Sequence, residues 1–422
     1  MFKKKKIVIG VVGLGYTGLP LALQFGKYFK TIGFDINKKK VDDLNHFIDS
    51  TNETNPSQIK KFLNKNFFTY NESNLKNVNV FIVAVPTPVT KKKLPDLTFL
   101  KNASNIIGNY IKKNSIVVYE STVYPGCTED VCIKILEEKS NLRINKDFYC
   151  GYSPERINPG DKKRKIENII KITSGSNKRS ASFIDSLYKK IIKAGTFQAK
   201  DIKTAEAAKV IENIQRDLNI AFVNELSMIF RKLKISTTEV LEAASTKWNF
   251  SKYTPGLVGG HCISVDPYYL TYIAKKNKIN PKVILAGRKI NDSMPYYVVN
   301  EIKKKIKNNY KKNCLILGLS FKENCPDIRN SKVFELINEF KKLKIEVSGY
   351  DPIVDYKEVE NKYNFRPLKK IRTGKKYDFV ILAVKHSIFK KMENSISKKL
   401  KKGGFVFDIK SYFKKKEYID TL

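Results

Sequence analysis

Apolar residues come in short blocks between polar, lysine-rich stretches, and the spacing within the blocks changes along the chain. Lys6–Val12, Thr31–Phe34, Val78–Val85 and Ser115–Glu120 are near-continuous apolar runs of strand length, and Phe148 opens another. Such runs are expected of strands buried on both faces of a parallel sheet. Leu19–Tyr28 between the first two reads as a helix, with Pro20 tolerated in its first turn. From Ile202 to about Leu233 there is neither proline nor glycine. Ala207, Val210, Ile211, Ile214, Leu218, Ala221, Phe222, Leu226 and Ile229 recur there at helical spacing, which predicts one long helix with one apolar stripe. Glu239–Ala244, Tyr268–Lys275 and Pro281–Val299 read as further helices. Alternation then resumes, with strands expected at Asn313–Leu319, Ile345–Tyr350, Asp378–Val384 and Phe405–Asp408 and a helix at Ser331–Lys342.

Gly13-Leu14-Gly15-Tyr16-Thr17-Gly18 lies directly between the first strand and the first helix, and the second strand ends in Asp35. In that context the glycines permit a tight turn and close approach of a pyrophosphate to a helix N-terminus, and the acid can bind a ribose 2′-OH. The predicted cofactor is NAD, because Asp35 would repel a 2′-phosphate. Lys40 either offsets that repulsion or contacts the adenosine ribose or the pyrophosphate. Thr87 and Thr122 follow strand ends, where ligands of open parallel sheets sit. Each is equally a turn threonine. The predicted fold is α/β: two Rossmann-like doubly wound domains joined by a long central helix and a helical dimerisation region, divided at 1–198, 199–300 and 301–422.

Four further stretches carry reactive groups. Glu155 and Arg156 end a strand side by side, as a base and an anion-binding group or as an exposed turn. Lys209 and Asn213 lie one turn apart on the long helix, on a common functional or solvated face, with Glu206 and Glu212 to other sides. Lys322 and Arg329 occupy a loop before a helix with Ser331 near its start, where an anion is welcome. Val258–Leu270 contains Gly259, Gly260, Cys262 and Asp266, a flexible backbone beside a thiol and a carboxylate.

Composition narrows these readings. The chain has 422 residues, 42% of them apolar, and no apolar run reaches the ~18 needed to span a membrane. The lysines after Met1 resemble the start of a signal peptide, but the apolar part is interrupted by glycines and lacks a small-residue cleavage site, so a cytoplasmic protein is expected. Six cysteines without a C-x-x-C pair and three scattered histidines predict no metal site and reduced thiols. The net charge of +39 favours anionic ligands, yet the lysines are spread along the whole chain, as for a solvated surface rather than a nucleic-acid site.

Taken in order, the motifs resemble the UDP-glucose/GDP-mannose dehydrogenase family along essentially the whole chain. They are Gly13–Gly18 with Leu19-Pro20, Ser121-Thr122-Val123, Ser153-Pro154-Glu155-Arg156, Ala205–Lys209 with Asn213, Gly259–Cys262 with Asp266, and Phe321-Lys322 with Asp327 and Arg329. The wording of Ser153–Asp161 and Pro255–Leu270 is most similar to the branch acting on UDP-N-acetylhexosamines, which makes uronic acids for surface polysaccharides. UDP-glucose, UDP-N-acetylmannosamine and GDP-mannose are the sister substrates. The resemblance implies oxidation of the sugar C6 alcohol to a carboxylate with two NAD molecules in turn. Cys262 would be the nucleophile, Lys209 the oxyanion stabiliser and Asn213 a sugar contact. Asp266 and Thr122 would position water or move protons, and Glu155 would be the general base of thioester hydrolysis.

Further roles follow from the same resemblance. Leu14, Tyr16, Thr17, Lys40 and Thr87 would line the NAD site with the glycines. Arg156, Gly259, Tyr269 and Lys322 would contact the UDP-sugar, and Arg329 the cofactor or the sugar nucleotide. Asn249–Thr254 would line the sugar pocket. A homodimer or higher oligomer is expected through the long helix. Two positions depart from the family: Lys40 stands where arginine is usual, and Ser264 where glycine or proline is expected. A two-electron hydroxyacid dehydrogenase shares the glycine loop and a helix lysine, but has no need of Cys262.

Overall fold

The computed structural model describes residues 7–51, 53–157, 164–306 and 312–422. The lysine run before Ile7 and the Asn158–Asp161 end of the Ser153–Asp161 segment lie outside them. The chain forms two compact units, Met1–Glu212 with Tyr268–Ile279, and Asn213–Pro267 with Asn280–Leu422.

The first unit is built on six strands, β1 (Val8–Val12), β2 (Lys30–Phe34), β3 (Phe67–Thr69), β4 (Val80–Val83), β5 (Ile116–Tyr119) and β6 (Tyr149–Tyr152). Their order is β3-β2-β1-β4-β5-β6, and every pairing is parallel. The chain therefore reverses direction across the sheet between β1 and β4, the switch point at which doubly wound folds bind ligands. Register sets the edge: Val12 pairs with Phe34 and Val83, Val83 with Tyr119, and Tyr119 with Tyr152. Gly13, Asp35, Ala84, Glu120 and Ser153 consequently leave the sheet at one level. All residues of β4, β5 and β6 are buried, as their unbroken apolar runs require. A short parallel pair follows, β7 (Lys171–Thr173) and β8 (Thr196–Gln198).

The second unit carries β9 (Asn313–Leu317), β10 (Glu346–Tyr350), β11 (Tyr377–Leu382), β12 (Leu400–Asp408) and β13 (Ile419–Thr421), ordered β10-β9-β11-β12-β13 and again parallel. The α/β class with two Rossmann-like sheets and a helical middle is thus present.

The long helix spans Ile202–Leu233, so its 32 residues extend ~48 Å. Its expected single stripe is corrected. Val210, Ile214 and Ala221 are buried, but Ile211, Phe222 and Ile229 are 54%, 54% and 46% exposed. The buried face instead includes Glu206, Lys209, Asn213, Asp217 and Asn224. Two apolar stripes at helical spacing had merged in the sequence, and the polar residues between them, Glu206 included, turn inward. Lys209 and Asn213 are therefore not on a solvated face. Polar partners compensate this burial: Asp217 accepts from Arg288 Nη1 at 2.6 Å and Asn291 Nδ2 at 2.8 Å.

Candidate active site

In the first unit the three glycines of the loop have three different surroundings. Gly13 has φ +93° and donates its N–H to Phe34 O at 2.8 Å, so it makes the turn. A Cβ on Gly18 would lie 1.7 Å from Gly13 O, so its absence lets the helix Gly18–Phe25 start against the loop. A Cβ on Gly15 would meet no protein atom within 4 Å. That position is open for close approach of a ligand, as a pyrophosphate on a helix N-terminus requires. Leu14 N–H donates to Asp35 Oδ2 at 2.9 Å, Asn37 N–H to Asp35 Oδ1 at 2.9 Å, and Lys40 Nζ lies 3.1 Å from Oδ2. Asp35 thus ties the end of β2 to the glycine loop, with Lys40 against it. Tyr16 and Thr17 are half-buried beside Gly18. These residues fit NAD, whose nicotinamide supplies the hydride acceptor when bound.

Thr87 and Thr122 are half-buried beyond β4 and β5, and Ser121 Oγ joins the two segments by donating to Val85 O at 2.7 Å. Tyr269, expected beside the sugar, is fully buried and donates its hydroxyl to Pro88 O at 3.1 Å, bracing the turn that follows Thr87. Past β6, Glu155 Oε1 accepts the Ile157 N–H, while its buried Oε2 has no hydrogen-bond partner among the described residues. An unpartnered carboxylate oxygen is free to take a proton from water or substrate. Arg156 is already engaged, by Glu212 Oε1 at 2.7 Å and Ile170 O at 2.8 Å.

On the long helix, Lys209 is 7% exposed, and no carboxylate among the described residues of its own unit pairs with it. Such a buried ammonium favours an anionic or developing oxyanion neighbour. Glu206 instead serves the structure. It accepts from the Gly126 N–H at 2.5 Å and the Thr128 N–H at 2.9 Å, and burial pushes its carboxyl up to about 7.

In the second unit, Asn213 Nδ2 donates to Asp266 Oδ2 at 2.6 Å, both side chains being buried. Asp266 begins the helix Asp266–Lys276, where the helix dipole favours a negative charge, and its N–H donates to Cys262 O at 2.8 Å. The Asn213–Asp266 pair is therefore fixed relative to the Cys262 turn. None of the six cysteines forms a disulfide, and Cys262 alone is not fully buried. Burial pushes the thiols of Cys150 and Cys314 well up, and the hydrogen bond with Cys132, with burial, does the same to Cys127, making them inert.

The glycines before Cys262 let two loops meet within this unit. A Cβ on Gly259 would lie 2.4 Å from Asn330 O, and one on Gly260, at φ +90°, would lie 2.6 Å from the Phe321 ring. Asn330 Nδ2 donates back to Gly260 O at 3.1 Å. The Cys262 loop is thus bolted to the loop carrying Lys322 and Arg329. His261 Nδ1 lies 3.4 Å from Asp327 Oδ2, and Arg329 Nη2 lies 2.5 Å from the same oxygen. Burial alone would raise the Asp327 carboxyl, but Arg329 and His261 outweigh it and hold it below the ordinary range. Lys322 is half-buried beside Phe321.

Sequence reasoning missed the partners of these groups: Asp327 for His261, Asn330 for the glycines, and the buried Glu120 with Lys171 at the first sheet's edge. Their partners lie far away along the chain, so spacing alone held no signal. A carboxylate closing an apolar strand was the one visible hint at Glu120. Among the described residues, no group of three His, Cys, Asp or Glu could hold a metal, and no helix is long and apolar enough to cross a membrane.

Comparison with known proteins agrees with this geometry. Residues 7–192 match the NAD binding domain of the UDP-glucose/GDP-mannose dehydrogenase family, residues 203–293 its central domain, and residues 315–415 its UDP binding domain. The chain is 50% identical to a UDP-N-acetyl-D-glucosamine 6-dehydrogenase of Pseudomonas aeruginosa, over 96% of this chain and 97% of that protein. It is likewise 50% identical to the enzyme of that name from Salmonella typhi, over 93% of each. A solved UDP-D-ManNAc dehydrogenase from Pyrococcus horikoshii superposes with a TM-score of 0.88 at 29% identity, covering 98% of this chain and 99% of that one. The chain belongs to the UDP-glucose/GDP-mannose dehydrogenase family and is an NAD-dependent nucleotide-sugar dehydrogenase.

Proposed function

We propose that this enzyme oxidises the C6 hydroxyl of a UDP-N-acetylhexosamine to a carboxylate through a thioester on Cys262. The observation that carries the reading is the partly accessible Cys262, on a glycine loop held against the Lys322 loop and followed by the Asn213–Asp266 pair. The first oxidation removes a hydride and a proton from the C6 alcohol and leaves an aldehyde. Cys262 Sγ then bonds to C6 to give a thiohemiacetal, and loss of a second hydride and proton gives the thioester. Water adds to the thioester carbonyl, the C–S bond breaks, and the thiol and the uronate are released. Lys209 stabilises the oxyanions, Glu155 accepts the proton of the attacking water, and Asp266 and Thr122 orient water. Asn213, Gly259, Lys322 and Arg156 hold the sugar nucleotide, and Arg329 holds it or the cofactor.

Identity of 50% to two UDP-N-acetyl-D-glucosamine 6-dehydrogenases, against 35% to two UDP-N-acetyl-D-mannosamine dehydrogenases, supports the UDP-GlcNAc/UDP-GalNAc branch. Steady-state rates with UDP-GlcNAc, UDP-GalNAc, UDP-ManNAc, UDP-glucose and GDP-mannose test it. The highest kcat/KM is expected with UDP-GlcNAc or UDP-GalNAc, and a clear preference for UDP-glucose would overturn the assignment. The division into residues 1–198, 199–300 and 301–422, a cytoplasmic location and a place in surface-polysaccharide synthesis belong to the same reading. So does a homodimer formed through the long helix, supported by the exposed Ile211, Phe222, Ile229 and Leu233 stripe. Light scattering on Phe222→Glu, against the wild type, checks that interface.

A further inference from the structure

The edge of the first sheet carries a buried ion pair that the steps above do not use. Glu120, the residue after β5, is 0% exposed and accepts from Lys171 Nζ at 2.5 Å and from the Tyr188 hydroxyl. Lys171, at the start of β7, has a side chain only 3% exposed, and its Nζ also donates to Pro154 O at 2.9 Å. One ammonium therefore grips both the strand end that runs on to Thr122 and the strand end that runs on to Glu155. The Glu155 N–H adds a longer bond to Glu120 O at 3.4 Å.

A buried ion pair is a poor choice for stability alone, since apolar residues of similar volume do as well or better. Its placement points elsewhere. Glu155 presents its unpartnered buried oxygen close enough for its charge to act on Glu120. The ammonium of Lys171 thus pairs with one carboxylate, Glu120, while a second, Glu155, acts on Glu120 in the same poorly solvated corner. Burial is the largest influence on Glu120 and pushes its carboxyl up to about 7. Lys171 opposes the rise, Glu155 adds to it, and the Tyr188 hydroxyl opposes it. Charge on either carboxylate is therefore felt by the other, and Lys171 sets how much negative charge the corner holds.

We propose that Lys171 and Glu120 are positioning residues for the reaction, holding the Thr122 and Glu155 strand ends together and setting the charge against which Glu155 works as a base. The proposal rests on the reading of Glu155 as the base of thioester hydrolysis. It makes two predictions of opposite sign. Lys171→Met leaves Glu120 uncompensated beside Glu155, which moves the acid limb of kcat to higher pH. Glu120→Gln leaves an unshared ammonium there, which moves it to lower pH.

The test is the pH profile of kcat for the full-length enzyme with NAD and UDP-GlcNAc. The acid limb should move up by about one unit in Lys171→Met and down by about one unit in Glu120→Gln. In Lys171→Met, kcat at neutral pH should fall about tenfold while the KM for UDP-GlcNAc stays within about threefold. Lys171→Arg should keep the wild-type profile. Acid limbs that coincide with the wild type in both variants, whatever their melting temperatures, would overturn the proposal and leave a plain structural brace. If Lys171→Met does not fold, the near-isosteric Glu120→Gln decides alone. Glu155→Gln separates the two readings: full activity in that variant removes the base itself. Loss of activity there, with an unmoved limb in Glu120→Gln, removes only the pair's role.

Discussion

At the first strand of each sheet a glycine with positive φ makes the turn, Gly13 at +93° and Gly318 at +89°. Each donates its N–H to the neighbouring strand's last residue, Phe34 O at 2.8 Å and Tyr350 O at 2.9 Å. In each sheet the next residue of that neighbouring strand is an aspartate that accepts backbone N–H groups from the turn: Asp35 from Leu14, and Asp351 from Leu319 at 2.7 Å and Ser320 at 3.1 Å. Beyond this point the two halves part. The first continues through Gly15, with open space where a Cβ would be, straight into a helix. The second has no further glycine in the loop, runs through Phe321–Ser331, and reaches its helix only at Val333. Asp35 faces Lys40, whose side chain is 29% exposed. Asp351 faces His386 Nε2 at 3.0 Å with neither side chain exposed. The same acid in the same place meets a partly exposed lysine in one half and is closed into a fully buried latch in the other. Its position in the fold does not decide what it does; the surroundings do.

This contrast can be broken by substitution. Asp351→Ala removes the partner of two buried N–H groups and of His386, and should cost about 3–5 kcal/mol of stability in denaturant unfolding. Asp35→Ala should cost less stability and instead weaken NAD about tenfold in a fluorescence titration. Equal stability losses with unchanged NAD affinity would erase the distinction. Within the first loop the glycines separate in the same way. Gly18→Ala meets backbone at 1.7 Å and should lower the melting temperature by several degrees. Gly15→Ala should melt like the wild type yet bind NAD about tenfold more weakly, because its methyl group points into open space.

Acid provides a subtler probe. Burial opposes it, but His386 and the backbone donors hold the Asp351 carboxyl below its ordinary value. A lowered folded value contributes stability in full above the unfolded pKa of about 4, and that contribution fades as pH falls through the folded value. Stability measured from pH 6 down to pH 3 should therefore fall less steeply in Asp351→Asn than in the wild type. The smallest effect is expected from Lys40→Ala: stability within about 1 kcal/mol, since the pair is partly exposed, and NAD weakened about threefold.

Much of this arrangement was legible in the chain. The long helix ends at Leu233 with Lys234 at positive φ and Ser236 capping the next helix, and the buried central strands betray themselves as apolar runs. β3, β7, β8 and β13 are three residues each, too short for any period to show. The helix stripe misled because apolar residues on two faces of one helix share the same spacing. Ile211 and Phe222 therefore looked equivalent to Val210 and Ala221, and only packing separates them. At the site, the glycines, Asp35, Cys262, Asn213 and Asp266 could each be named, because their chemistry is local or their motif distinctive, whereas the Asn213–Asp266 hydrogen bond could not. The Glu120–Lys171 brace and the His261–Asp327 contact join residues 51 and 66 positions apart, and nothing local announces such a meeting.

The central claim is that Cys262 carries the sugar through two oxidations before release. It is tested most directly by counting NADH formed per UDP-GlcNAc consumed at completion, in the wild type and in Cys262→Ser. Two NADH per sugar are expected from the wild type, with net turnover in Cys262→Ser falling about a thousandfold or more. One NADH per sugar in the wild type, or an unchanged yield and rate without the thiol, would contradict the account.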